Sequence, residues 1–299
     1  MKTKQKIFIA FILNFFFSIF ELVGGFLTGS VAIASDAVHD FGDALSIGIS
    51  YFLEKLSIKK PNSKYNYGYL RFSVLGGLIT TVILLISSII VIYSAILKFI
   101  NPTIINYNGM LIFAIIGFTV NVIATYFTNG GSSINQKAVN LHMVEDALGW
   151  LIVLIGALVI KFTGFYIIDP ILSIILAVFI IINAIKNLKE ICDIFLLKTP
   201  KIINLDEILH HLKHIDGVID AHHLHVFTLD GTTLISTVCV RVNSYCEHIK
   251  ESVKQELLEH GIAHSTVEFE LAGEEVKECN LVDTASANLK THACCHHHH

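Results

Sequence analysis

An apolar run at residues 31–52 is long enough to cross a bilayer, yet Asp36, His39, Asp40 and Asp43 stand inside it. Each ionisable side chain at bilayer depth costs about 2.5–3.5 kcal/mol on insertion scales, so such groups mark ion or substrate pathways. His39 and Asp43 are four residues apart and project from one helix face. Asp36, three residues before His39, shares that face. The pattern recurs at His142 and Asp146, which lead into the apolar stretch 147–160. Residues 1–200 contain only these two histidines, and an aspartate follows each one four residues later. Two imidazoles and two carboxylates converging from two helices make a four-coordinate N2O2 set, which suits Zn²⁺. The alternative is a buried polar clamp, but helices in membranes are usually tied together by Ser, Thr or Asn.

Hydrophobic residues make up 53% of the chain and charged ones 15%, which excludes an ordinary soluble domain. Charge is concentrated after residue 185. The net charge of −4 averages a membrane half with a soluble half and so says little about partners; no nucleic-acid partner is expected. The six cysteines (Cys192, Cys239, Cys246, Cys279, Cys294 and Cys295) show no disulfide framework and fit a reducing, cytoplasmic setting. The first apolar run lacks a small-residue cleavage site and is expected to remain as a membrane anchor.

Six spans are expected, at residues 7–27, 31–53, 72–100, 108–128, 138–160 and 165–190. Pro61, Pro102, Pro170 and Pro200, the only prolines, fall at or near span ends. Lysine and arginine set the orientation. Lys2, Lys4 and Lys6 precede the first span, Lys55, Lys59, Lys60, Lys64 and Arg71 lie between the second and third, and Lys186, Lys189, Lys198 and Lys201 close the last. The alternate loops hold only Lys98 and Lys161, which places both termini in the cytoplasm and the chain in the cell membrane, in contact with lipid. In the first span Asn14 and Glu21 share a face, and Glu21 either lines the same cavity as Asp36 or lies near the outer surface. Gly76, Gly77, Ser87 and Ser88 suit the third span to helix packing or a subunit interface. The fifth span reaches membrane length only if His142 and Asp146 lie within the bilayer.

Beyond Pro200 the pattern changes. Residues 202–215 and 247–260 read as amphipathic helices, and residues 217–229, 232–242 and 263–271 as strands, with Asp230-Gly231 as a hairpin turn. The order αββαβ predicts a small α+β sandwich with both helices on one sheet face. A core this small favours association with a second copy. The expected division is a membrane domain at 1–200, a soluble domain at 201–273 and a polar tail at 274–299. His296 to His299 carry no weight as a possible tag. His210, His211 and His214 read as the solvated face of a helix.

Together these stretches resemble the cation diffusion facilitator family of metal transporters over nearly the whole chain. The resemblance is carried by Glu21 to Gly25, Gly29-Ser30-Val31-Ala32, Ser35-Asp36-Ala37-Val38-His39 and Asp43, and Tyr67-Gly68-Tyr69-Leu70-Arg71. It continues through Asn135 to Ala138, Leu141-His142 to Asp146, Asp169-Pro170 and Thr199-Pro200, then His222 to Phe227 and Gly261 to Thr266. It implies a homodimer that exports a divalent cation in exchange for protons by alternating access, and ferredoxin-like cytoplasmic domains that bind regulatory metal. The transported ion would sit on His39, Asp43, His142 and Asp146, with Asp36, Asp40 and Glu21 as pathway or proton-carrying groups. Zn²⁺ is the expected substrate, with Co²⁺, Cd²⁺ and Fe²⁺ as further candidates and no resident cofactor.

Two departures stand out. Tyr65 and Tyr69 occupy positions where some members carry metal ligands, so no site is expected in that loop. Cys239 stands where a strand histidine is common and remains a good Zn²⁺ ligand. Candidate ligands of the soluble part are His222, His225, Cys239, His264 and Glu268; their plainer reading is a polar sheet face. Two other functions compete with transport. A membrane-bound metal sensor would leave the buried ligands without a task. An intramembrane metallohydrolase would need a general base beside an open coordination position, and no HExxH pattern exists here.

Overall fold

A computed structural model describes residues 2–28, 31–100, 107–131, 133–163 and 168–273. The tail expected at 274–299, with Cys279, Cys294, Cys295 and His296 to His299, lies outside the described residues. The apolar stretches form six long helices: α1 (Thr3–Thr28), α2 (Val31–Ser57), α3 (Arg71–Ile100), α4 (Tyr107–Thr128), α5 (Ile134–Thr163) and α6 (Ile168–Phe195). Pro170 falls in the first turn of α6, where its missing N–H has no intrahelical partner to lose. Among the described residues, three helices are long and apolar enough to cross a membrane by length and composition, at Thr3–Gly24, Arg71–Leu97 and Ile134–Gly156. Six spans were expected; three spans and three further long helices are observed.

The chain divides into two compact units, one formed by these helices together with the turn Thr228–Thr233 and one formed from Thr199 onward. In the helical unit α1 packs along α2, α3 along α6 and α4 along α5. Ile7 and Ala10 of α1, Ile47 of α2, Ala124 of α4, and Val139 and Met143 of α5 form one buried cluster. Leu84 of α3 with Ile180 and Ala184 of α6 forms another, against which Leu141 of α5 packs. α5 therefore touches both groups.

The helical unit is apolar outside and polar within. Phe16, Phe52, Ile89, Tyr93, Tyr126 and Ile175 are exposed, whereas Asn14, Glu21, Asp43, Ser50, Asn135 and His142 are buried. A water-soluble bundle would sort these the other way round. Where α2, α3 and α5 meet, buried Glu54 accepts hydrogen bonds from Ser73 Oγ at 2.6 Å and Asn135 Nδ2 at 3.1 Å. Ser50 Oγ donates to Asn135 Oδ1 in the same network.

Gly117 of α4 has no room for a side chain. A Cβ there would lie 2.7 Å from the Trp150 ring of α5 and 2.8 Å from Phe17 Cζ of α1, two rings that pack edge to face. Gly117→Ala is therefore expected to lower the thermal unfolding midpoint of the purified chain, at a cost of about 1–3 kcal/mol for overpacking. A Cβ at Gly149 meets nothing within 4 Å. Gly149→Ala should leave the midpoint unchanged or raise it, since alanine is the better helix former.

The second unit runs α7 (Leu205–Lys213), β1 (Val218–Thr228), β2 (Leu234–Val242), α8 (Glu247–Glu259) and β3 (Ile262–Leu271). The strands lie in the order β1-β2-β3, with β2 and β3 parallel through the α8 crossover. α7 starts at Asn204, whose side chain accepts from the Glu207 N–H. Asp230 Oδ1 accepts from the N–H groups of Thr232 and Thr233 and shapes the turn between β1 and β2, where Gly231 takes φ +91°. Ile208 and Leu212 of α7 and Val253 and Leu257 of α8 share one core with Leu224, Val226, Val238, Val240 and Ile262. Both helices thus cover the same sheet face. By strand alternation the other face carries Cys239, Arg241, Glu268 and Glu270.

Candidate metal centre

The helical unit brings Asp43 of α2 next to His142 and Asp146 of α5. Four-residue spacing places His142 and Asp146 one above the other on a single face, and the packing of α2 against α5 adds Asp43. His142 Nε2 lies 3.7 Å from Asp43 Oδ2 and 3.9 Å from Asp146 Oδ2. One ligand atom from each lies within 4.8 Å of the other two. These separations exceed hydrogen-bond length, and neither ring nitrogen of His142 has a hydrogen-bond partner among the described residues. His142 is 1% exposed and Asp43 5%. A buried imidazole without a hydrogen bond, facing two carboxylates, has the donor set that a divalent cation accepts. Tetrahedral bonds of about 2.0–2.1 Å put neighbouring ligand atoms about 3.3 Å apart, so the two separations from His142 are about half an ångström longer than in a closed set.

His39 lies one turn before Asp43 in α2; its side chain and that of Asp36 lie outside the described residues. Asp40 is half-buried on the same helix. Glu21 is fully buried in α1. Beside the centre, Ser88 of α3 donates to Glu145 Oε1 at 3.1 Å, which draws a third helix toward the site.

In the second unit, His222, His223 and Cys239 each place a ligand atom within 4.8 Å of the others. His223 was not among the residues singled out from sequence. It takes φ +51°, and the two successive half-buried histidines interrupt the burial alternation of β1 between buried Ala221 and Leu224. Both place a ligand atom near Cys239. Glu268 Oε2 lies 3.8 Å from Cys239 Sγ, its register partner across the parallel pair. His225 and His264 are exposed and stand apart from this trio. His222 instead meets two further carboxylates, Nε2 at 3.3 Å from Glu270 and Nδ1 at 3.6 Å from Asp220. A hydrogen bond from Lys213 holds the Asp220 carboxyl below its usual range, so it stays ionised beside His222. In the loop before α3, Tyr65 and Tyr69 pack together at 4.4 Å and both contact Phe72.

Buried acids and an imidazole between long apolar helices define the class: a helical membrane protein with a polar, ionisable interior. Residues 7–196 match the cation efflux transmembrane domain model, and the chain belongs to that family, the cation diffusion facilitators. It is a transporter and not an enzyme, which sets aside the metallohydrolase alternative. A cadmium, cobalt and zinc/H(+)-K(+) antiporter of Bacillus velezensis is 32% identical, over 99% of this chain and 96% of its own. The zinc transporter ZitB of Yersinia pseudotuberculosis is 30% identical over 99% and 96%. The metal cation efflux system protein CzcD of Cupriavidus metallidurans is 30% identical over 94% and 90%.

Proposed function

We propose that the chain exports Zn²⁺ from the cytoplasm in exchange for protons, with Asp43, His142, Asp146 and His39 as the transport ligands. The observation that carries this reading is the buried cluster of Asp43, His142 and Asp146 between two helices of an inside-polar bundle. Zn²⁺ accepts imidazole nitrogen and carboxylate oxygen at four-coordinate sites, and Co²⁺ and Cd²⁺ share much of that preference. Metal loads from the cytoplasm when the ligands are deprotonated. Protons arriving from outside then compete for the same lone pairs and release it. Asp36, Asp40 and Glu21 serve the ion or proton route.

In this reading all six helices span the cell membrane, α2 tolerating its acids because they face the interior, and both termini are cytoplasmic. Residues 201–273 form a ferredoxin-like domain that pairs with a second copy, since a unit of that size has a small core. His222, His223, Cys239 and Glu268 offer a regulatory metal site there. The names of the relatives support zinc, cadmium and cobalt as substrates and antiport as the mechanism.

Proteoliposomes with an imposed pH gradient test the proposal. Zn²⁺ entry is expected to follow the gradient and to dissipate it, with Cd²⁺ and Co²⁺ behaving alike. Inserted, folded protein that binds Zn²⁺ but moves none would favour the sensor reading instead.

A further inference from the structure

We propose that His211, Glu256 and His260 form a separate divalent-cation site that ties α7 to α8. His211 lies in the last turn of α7. Glu256 and His260 are one turn apart at the end of α8, so both point toward α7. His211 Nδ1 lies 2.9 Å from Glu256 Oε1 and 3.0 Å from His260 Nε2, and the third edge, His260 Nε2 to Glu256 Oε1, is 3.4 Å. This triangle is close to one face of a tetrahedral coordination shell, whose edges are about 3.3 Å for bonds of about 2.0–2.1 Å. An ion bonded to all three atoms would stand roughly 1 Å out of their plane, with no ligand having to move far.

Without a metal the same atoms compete for protons. A single Nδ1–H on His211 can point at Glu256 or at His260, and two protonated rings 3.0 Å apart would repel. A cation uses all three lone pairs at once. Two imidazoles and one carboxylate select late transition ions such as Zn²⁺, Co²⁺ or Ni²⁺ over Mg²⁺ and Ca²⁺. The side chains of His211, Glu256 and His260 are 43%, 25% and 22% exposed, which leaves a fourth position for water. The site is distinct from the His222, His223 and Cys239 trio. α7 and α8 cover one face of the sheet, while Cys239 lies on the other. It also requires nothing of the transport site, so either can fail alone.

Zn²⁺ equilibrium dialysis on the full chain in detergent, at neutral pH, tests the assignment. His211→Gln and His260→Gln are each expected to bind one Zn²⁺ fewer per chain than wild type. His214→Gln serves as the control, because His214 Nδ1 faces the His210 carbonyl and not the triangle; it should match wild type. Co²⁺ loading should show a matching loss of visible absorption in the two variants only. Should either variant unfold, Glu256→Gln keeps the side-chain shape while weakening the carboxylate ligand, and is expected to lower the affinity at least about tenfold. Equal stoichiometry and affinity in wild type and folded variants would overturn the site. So would an equal loss in His214→Gln, which would mean diffuse binding to exposed histidines.

Discussion

Asp43→Ala and Asp146→Ala are each expected to reduce Zn²⁺ flux at least about 100-fold while leaving the chain folded and inserted. Replacing a group that merely supports a metal ligand costs 10–100-fold in affinity or activity, and a direct ligand should cost no less. Asp43 and Asp146 approach His142 from two different helices, so losing either opens a coordination position. Asparagine variants separate this account from a polar clamp. Asn keeps the shape and hydrogen-bonding capacity of Asp, and a clamp would retain its function. A site that needs anionic oxygen for a doubly charged ion would not. Flux in proteoliposomes matched for inserted protein is the measurement.

His142→Asp is expected to change which metal is carried. It replaces a nitrogen ligand with oxygen and gathers a third carboxylate around one buried point. Imidazole favours Zn²⁺ and its late neighbours, whereas oxygen-rich sets suit Mn²⁺ and harder ions. Three carboxylates in a low-dielectric interior also make the empty site costly. The Mn²⁺-to-Zn²⁺ rate ratio should rise roughly tenfold, the scale of one altered interaction at a metal site. Rates measured side by side for both metals decide it. An unchanged ratio would mean that His142 does not touch the moving ion.

What could be read from sequence follows the range of the interactions. The six helices and the αββαβ order rest on local periodicity and turn signals, and the observed boundaries lie close to those expected. The pairing of His142 with Asp146 is also local, fixed by helix pitch. Asp43 could be assigned to the same cluster because its spacing from His39 repeats the spacing of the second pair. His223 was out of reach for a different reason. Strict alternation sends residues 222 and 223 to opposite faces, and only the φ of +51° at His223 breaks that rule. His211 illustrates a third limit. Its partners stand on another helix, and no period within α7 points to them. Its reading as part of a solvated face agrees with its exposure, while its contacts across to α8 lie beyond any local pattern.

The central claim is that the ion crosses by resting on Asp43, His142 and Asp146. Anomalous diffraction at the zinc edge, from crystals of the full chain grown with Zn²⁺, tests this most directly. The account predicts a peak in the helical unit within about 2.3 Å of ligand atoms from all three residues, and its loss in Asp146→Asn. Zinc peaks confined to the second unit, in protein that still transports zinc, would contradict it.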